Sequence, residues 1–278
     1  MENPGPFTRS QLAQMGVERR HVSELLSQGR LHRVSRGWFA ESRSPEPAVR
    51  AVQLGGRLGC LSACELHELW VPHQTDLHVA LNPGAPSPTV PPRAVQFHRL
   101  VTVCRSAVLP VADAVAQVLH RHDEETGLIV LESAVNRGAL DQAEAEHLLA
   151  TVPMRARRAA QHFSPLAQSG SETRLRLFFQ RRGVPVQPQV FIPGVGRVDL
   201  LVGRSWILEA DSRAFHTSPS QIAVDRGRDF ESRGLGFMTD RLGYEQLWHS
   251  WERTQRWLLA VLRTRRHLQP PVPLRAGR

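Results

Sequence analysis

Three carboxylates close together in the C-terminal half, Asp199, Glu209 and Asp211, are the residues best placed to do chemistry. They lie between Gly196 and Asp229, where the runs Val198–Val202 and Trp206–Asp211 are separated by Gly203-Arg204-Ser205. Two short apolar runs around a few turn residues predict a β-hairpin. Period two along the second run puts Ile207, Glu209 and Asp211 on one face and Trp206, Leu208 and Ala210 on the other. Carboxylates in a strand otherwise made of core residues need a partner, because bare buried charge is costly. Arginine is one such partner; the other is a divalent metal that draws oxygen ligands from neighbouring strands. Hydrolysis of a phosphodiester needs a nucleophilic water and neutralisation of developing charge, and a metal held by carboxylates supplies both. Asp199 and Glu209 are the first choice as ligands, since hairpin pairing brings their side chains together.

Several elements must hold this stretch in place. Ser218-Pro219-Ser220-Gln221 reads as a helix start, with Ser218 as cap, Pro219 at the first helical position and Gln221 completing a capping box. The helix carries Asp225, Arg226, Arg228 and Asp229, and Gly234 and Gly236 stop it. Arg226, Arg228 and, further on, Arg241 suit a scissile phosphate; equally, Arg226 and Arg228 suit ion pairs with Asp225 and Asp229 on the same helix. Upstream, Ser171 begins a helix with Leu175, Phe178 and Phe179 inward. Glu172 sits in its first turn, where a carboxylate interacts favourably with the helix dipole. Downstream, Leu235–Thr239 reads as a strand, and Trp251, Leu258 and Leu262 mark the apolar face of a closing helix.

Taken together, Val198-Asp199, Glu209-Ala210-Asp211, Phe215-His216, Asp225-Arg226 and Arg228-Asp229 resemble the PD-(D/E)XK nuclease superfamily, in its very-short-patch-repair-like branch, over roughly residues 171–266. The resemblance implies a restriction-endonuclease-like mixed sheet flanked by helices. It implies metal ligation by Asp199, Glu209 and Asp211, with the Ala210 carbonyl completing the site. Glu172 becomes an acid on the first core helix near the metal, and His216 a group that positions water or the leaving group. His216 also reads as a helix-cap or core contact beside Phe215. Mg²⁺ suits carboxylate and carbonyl ligands, and Mn²⁺ or zinc is admitted if histidine joins them. The sequence departs from the pattern in three places. Asp211 stands where lysine is common, Val198 replaces proline, and Ser212 stands where the branch often has glycine. No other lysine stands in, because all 35 basic residues counted as Lys+Arg are arginine.

The net charge of +9 and pI near 11.1 favour a polyanionic partner. Three cysteines, Cys60, Cys64 and Cys104, are too few and too odd for a disulfide framework, and the first residues hold no apolar signal core; both fit a cytoplasmic protein. No run approaches the ~18 apolar residues of a membrane span. Cys60, Cys64 and His67 fall on one helix face, and zinc would take Cys104 or His98 as a further ligand. Small buried cysteines are the commoner outcome of such a pattern. His120 and His122 read as a solvated helix end.

At the N-terminus, Thr8 caps a short helix through Leu12 and Met15, Gly16 ends it, and Val17–Gln28 forms a second. Leu31–Val34 and Gly37–Ala40 then flank a turn. Helix, turn, helix and β-wing is the order of a winged helix-turn-helix, whose second helix usually enters the major groove. Nine arginines against five acids in residues 1–60 agree, and Arg19, Arg20, Arg33 and Arg36 fall on the second helix and wing. The stretch resembles the AbiEi-type antitoxin N-terminal winged helix. A small helical domain used for packing is the plainer alternative.

Between Asp113 and Glu146 there are eight acids and two arginines, so DNA does not belong on that surface; the 107–150 region suits a protein partner instead. The fold expected is α/β, or α+β taken over the whole chain. The domains expected are a winged helix over 1–42, a mixed spacer over 43–165, a nuclease-like domain over 166–268 and a basic tail over 269–278. Two functions compete. One is a metal-dependent DNA endonuclease targeted by the winged helix, in repair or defence against foreign DNA. The other is a DNA-binding regulator or antitoxin whose nuclease-like domain is inactive. The oligomeric state is not legible.

Overall fold

The computed structural model describes residues 5–86, 92–152, 161–211 and 219–274, and for 211 and 219–226 it describes the backbone. The chain is α+β and divides into two compact units, Met1–Arg157 and Arg158–Arg278.

In the first unit, β1 (Phe7–Thr8) runs straight into α1 (Arg9–Gln14), then α2 (Arg19–Ser27), β2 (His32–Ser35) and β3 (Trp38–Ala40). Thr8 and Gln11 make a reciprocal capping box, which fixes where α1 begins. The short strands form an antiparallel sheet in the order β1-β3-β2. Phe7, Leu12, Val22, Leu31 and Phe39 pack into one cluster, so the two helices and the hairpin share a core. Next come α3 (Glu46–Gln53), β4 (Arg57–Leu58), α4 (Cys60–Leu66), β5 (Leu77–Leu81) and β6 (Val95–Arg99). In this second sheet β4 is antiparallel to β5, and β5 is parallel to β6. Among the described residues, three helices follow: α5 (Val111–Arg121), α6 (Glu124–Asn136) and α7 (Gln142–Thr151). Asp123 and Asp141 cap α6 and α7, which explains why these helices start where they do.

The second unit opens with α8 (Gly170–Gln180) and continues through β7 (Val186–Ile192), β8 (Gly196–Val202) and β9 (Trp206–Asp211). Then follow α9 (Pro219–Gly234), β10 (Met238–Gly243), a π-helical turn (Glu245–His249) and α10 (Trp251–Arg263). The sheet order is β10-β9-β8-β7; the first three strands in sequence form an antiparallel meander, and β10 returns parallel to β9 after α9. The alternation expected along β9 is present. Trp206, Leu208 and Ala210 join Leu175, Phe178, Phe179 and Leu258 in one cluster, whereas Ile207 belongs to another with Ile192, Val195 and Val198. Trp206 anchors the larger cluster, fully buried, with edge-on rings from Phe179 at 5.6 Å and Trp257 at 6.0 Å. Among the described residues no helix is long and apolar enough to cross a membrane.

Candidate functional site

The N-terminal candidates are presented to solvent by a core that faces the other way. Val22 and Leu25 turn α2 inward, so Arg19 and Arg20 in its first turn are exposed. Arg20 makes an open i,i+4 contact with Glu24 at 3.5 Å, the kind of surface pair that gives way readily to a phosphate. Arg33 on β2 is exposed with its guanidinium 5.7 Å from the Phe39 ring, and Arg36 is exposed in the turn that Gly37 closes at φ +80°. All four arginines therefore lie on the second helix and the wing, with their charge available to an anion.

In the second unit, β8 pairs with β9 from Val202↔Trp206 to Leu200↔Leu208, and Asp199 and Glu209 are the next residue of each strand. There Asp199 Oδ2 accepts the backbone N–H of Ala210 at 2.8 Å, and Gln189 Nε2 approaches Oδ1 at 3.5 Å. The same Gln189 nitrogen donates to Glu172 Oε2 at 2.8 Å, so one amide links two carboxylates. Glu172 is buried and also takes the Gln168 N–H and the Ser169 hydroxyl, while its own N–H donates to Ser169 Oγ. It is thus a helix-start residue and a neighbour of Asp199 at once.

Arginines balance this acidity. Arg228 Nη2 lies 3.5 Å from Glu209 Oε1, while its Nε donates to the Val195 carbonyl at 3.1 Å and Nη2 to that of Arg197. Arg241, directly across from Glu209 in the β9–β10 register, pairs with Asp229 at 2.9 Å. Among the described side chains, Arg228 and Asp229 are thus paired across elements. Burial, followed by the charge of Asp199, pushes the Glu172 carboxyl up to about 6. Burial and Asp199 likewise raise Glu209 to about 7, against the opposing pull of Arg228 and Arg241.

As arranged, each of these described carboxylates has a protein partner, and no three of them bring ligand atoms within 4.8 Å of one another. Asp199 spends one oxygen on a backbone N–H, Glu209 faces a guanidinium, and Glu172 is saturated by its cap and Gln189. The only group of three ligand-bearing residues within 4.8 Å of one another, among the described residues, lies elsewhere: Cys60, His78 and His98. The side chains of Asp211 and Arg226, and His216 altogether, fall outside the described residues.

Residues 1–41, which hold the helix-turn-helix and wing, match a family described as "Transcriptional regulator, AbiEi antitoxin". The N-terminus is an AbiEi antitoxin-like regulator domain. That match does not extend to the second unit. Among solved structures the chain is similar to the RV2827C protein from Mycobacterium tuberculosis, with 17% sequence identity over 68% of this chain and 80% of that one. The TM-score of 0.31 is too low for the likeness to bear on the fold. No curated protein matches.

Sequence reasoning overlooked Gln189 and His78. Gln189 bridges Glu172 to Asp199 from a strand position with φ +54°, a backbone irregularity that leaves no mark in residue type. His78 had a signal: it interrupts the apolar run Leu77–Leu81, and a polar residue in a core strand needs a partner. His122, expected at a solvated helix end, is instead half-buried with Nε2 3.2 Å from Cys60 Sγ.

Proposed function

We propose that this chain is a DNA-binding transcriptional regulator of the AbiEi antitoxin type, in which α2 and the β2–β3 wing contact DNA and the second unit is a non-hydrolytic body. The observation that carries this reading is the coincidence of the family match over residues 1–41 with four exposed arginines on the recognition helix and wing. Arginine suits phosphate because its planar fork donates two parallel hydrogen bonds. In the same reading the acidic helices α5 to α7 take a protein partner, since their charge repels a nucleic-acid backbone.

The competing reading, a Mg²⁺-dependent endonuclease, rests on the closeness of Asp199 to both Glu209 and Glu172. It requires Arg228 to leave Glu209 so that a cation takes its place. Fluorescence anisotropy on duplex DNA across a salt series, run beside a plasmid cleavage assay with Mg²⁺ and Mn²⁺, separates the two. The regulator reading expects salt-sensitive binding, no cleavage, and binding unchanged in Asp199→Asn and Glu209→Gln. Cleavage by the wild type that both substitutions abolish would establish the nuclease. Absence of any DNA affinity at low salt would overturn the regulator.

A further inference from the structure

Away from the carboxylates, the first unit gathers soft metal-binding side chains at one point. Cys60, the first residue of α4, His78 on β5 and His98 on β6 are 0%, 1% and 7% exposed, and their ligand atoms all lie within 4.8 Å of one another. The sheet explains the meeting. Ala80 pairs with His98 in the parallel β5–β6 register, and His78 lies two residues before Ala80, so both imidazoles leave the same face. His78 Nδ1 and His98 Nε2 are 2.8 Å apart. His122, at the end of α5, brings its Nε2 to 3.2 Å from Cys60 Sγ.

The backbone around Cys60 is specialised for this approach. A Cβ on Gly59 would sit 2.8 Å from both the Ala80 side chain and Gln117 Oε1, so a glycine is needed for α4 to begin against the sheet. Cys60 itself has φ +49°, a left-handed conformation that non-glycine residues rarely hold and that recurs at functional sites. Gln117 Oε1 accepts the Cys60 N–H at 3.0 Å, while the buried Gln117 Nε2 has no hydrogen-bond partner among the described residues.

We propose that Cys60, His78 and His98 bind a single Zn²⁺-class ion, with His122 taking the fourth position. One thiolate and imidazoles form the donor set that tetrahedral zinc favours, and the group contains no carboxylate that would suit Mg²⁺ or Ca²⁺. Tetrahedral bonds to nitrogen and sulfur place neighbouring ligand atoms about 3.3–3.6 Å apart. The 2.8 Å His78–His98 and 3.2 Å His122–Cys60 separations therefore need adjustments on the order of half an ångström. Binding releases the Cys60 thiol proton to solvent, and the proton shared between His78 and His98 moves to an outward ring nitrogen, which leaves both inner lone pairs on the metal. The ion would tie α4, β5, β6 and the α5–α6 junction together, and so would be structural. This site differs from the Cys60-Cys64-His67 helix face that the spacing offered: Cys64 lies outside the group, and His67 Nε2 is bonded to the Leu109 carbonyl at 2.8 Å.

The test uses the full chain without a histidine tag. After chelation and desalting, Co²⁺ is added, and a thiolate-to-cobalt charge-transfer band with tetrahedral d–d bands is expected at about one equivalent. Zn²⁺ should displace the cobalt and raise the thermal midpoint of the wild type. Cys60→Ser and His98→Gln should lose the band, Cys104→Ser should keep it, and His122→Ala should weaken metal binding at least about tenfold. If Cys60→Ser does not fold, protection of one wild-type thiol from a disulfide reagent by Zn²⁺, reversed by chelator, provides the same decision. Folded wild-type protein that gives no charge-transfer band and no zinc-dependent protection would overturn the proposal and leave a hydrogen-bonded histidine pair beside a buried thiol.

Discussion

Asp199 turns one carboxylate oxygen onto the backbone N–H of Ala210 at 2.8 Å, just beyond Leu200↔Leu208, where the β8–β9 pairing ends. The side chain thereby supplies an acceptor to β9 where the paired register stops. Asp199→Ala should leave that N–H without its acceptor and destabilise the second unit by about 1–3 kcal/mol. Asp199→Asn keeps a carbonyl acceptor and should stay within about 1 kcal/mol of the wild type. Urea unfolding followed by tryptophan fluorescence reads both. Equal stability of the two variants in metal-free buffer would contradict this role.

The buried acids give stability a definite pH dependence. Glu172 and Glu209 hold their protons up to about 6 and about 7 when folded, against 4.5 for a free glutamate. In that window the folded chain binds protons that the unfolded chain has released, so unfolding becomes easier as pH rises. The second unit should be more stable near pH 5 than near pH 8, by on the order of 1–3 kcal/mol. Glu209→Gln should flatten most of the slope between pH 5 and 7 in urea melts. A stability that rises over this range would be inconsistent with these shifts.

Arg228 opposes the rise in Glu209 while donating to the Val195 and Arg197 carbonyls. Arg228→Ala therefore removes a charge and at least two backbone contacts. It should cost about 2–4 kcal/mol at pH 8 and less at pH 5, where a protonated Glu209 no longer needs the cation. Thermal melts of the variant at the two pH values test the difference.

For the wing and recognition helix, Arg19→Ala, Arg33→Ala and Arg36→Ala should each weaken DNA binding with little effect on stability, because the side chains are exposed. Each lost phosphate contact should lower the slope of log affinity against log salt by about 0.9. Arg20→Ala should behave alike, since its open pair with Glu24 contributes little. Anisotropy titrations at several salt concentrations provide the measurement.

Gly203→Ala should destabilise the second unit by more than about 1 kcal/mol. Its φ is +62°, and an added Cβ would lie 2.3 Å from the His267 carbonyl oxygen. A chemical melt against the wild type decides it.

Much of the architecture was legible because it depends on short-range pattern. The Thr8 cap, the apolar spacing of Val22 and Leu25, and the turn at Gly37 give the helix-turn-helix and wing from local preference alone. The runs Val198–Val202 and Trp206–Asp211, split by Gly203, likewise announce a hairpin, and its register follows from which face is apolar. The segment that became β7 was harder to read, since Pro188 and the left-handed Gln189 interrupt its alternation.

By itself, then, the sequence determined the α+β class, the winged-helix order with its outward arginines, and the strands that carry Asp199 and Glu209. The tertiary structure alone decided what those groups face. It set Arg228 against Glu209 from a helix some twenty residues away in sequence, handed Asp199 to a backbone N–H, and brought His78 and His98 to Cys60 from separate elements. Side-chain periodicity reports which face a residue takes; the identity of its neighbour depends on how the elements cross, and that is fixed only when distant apolar faces are packed together.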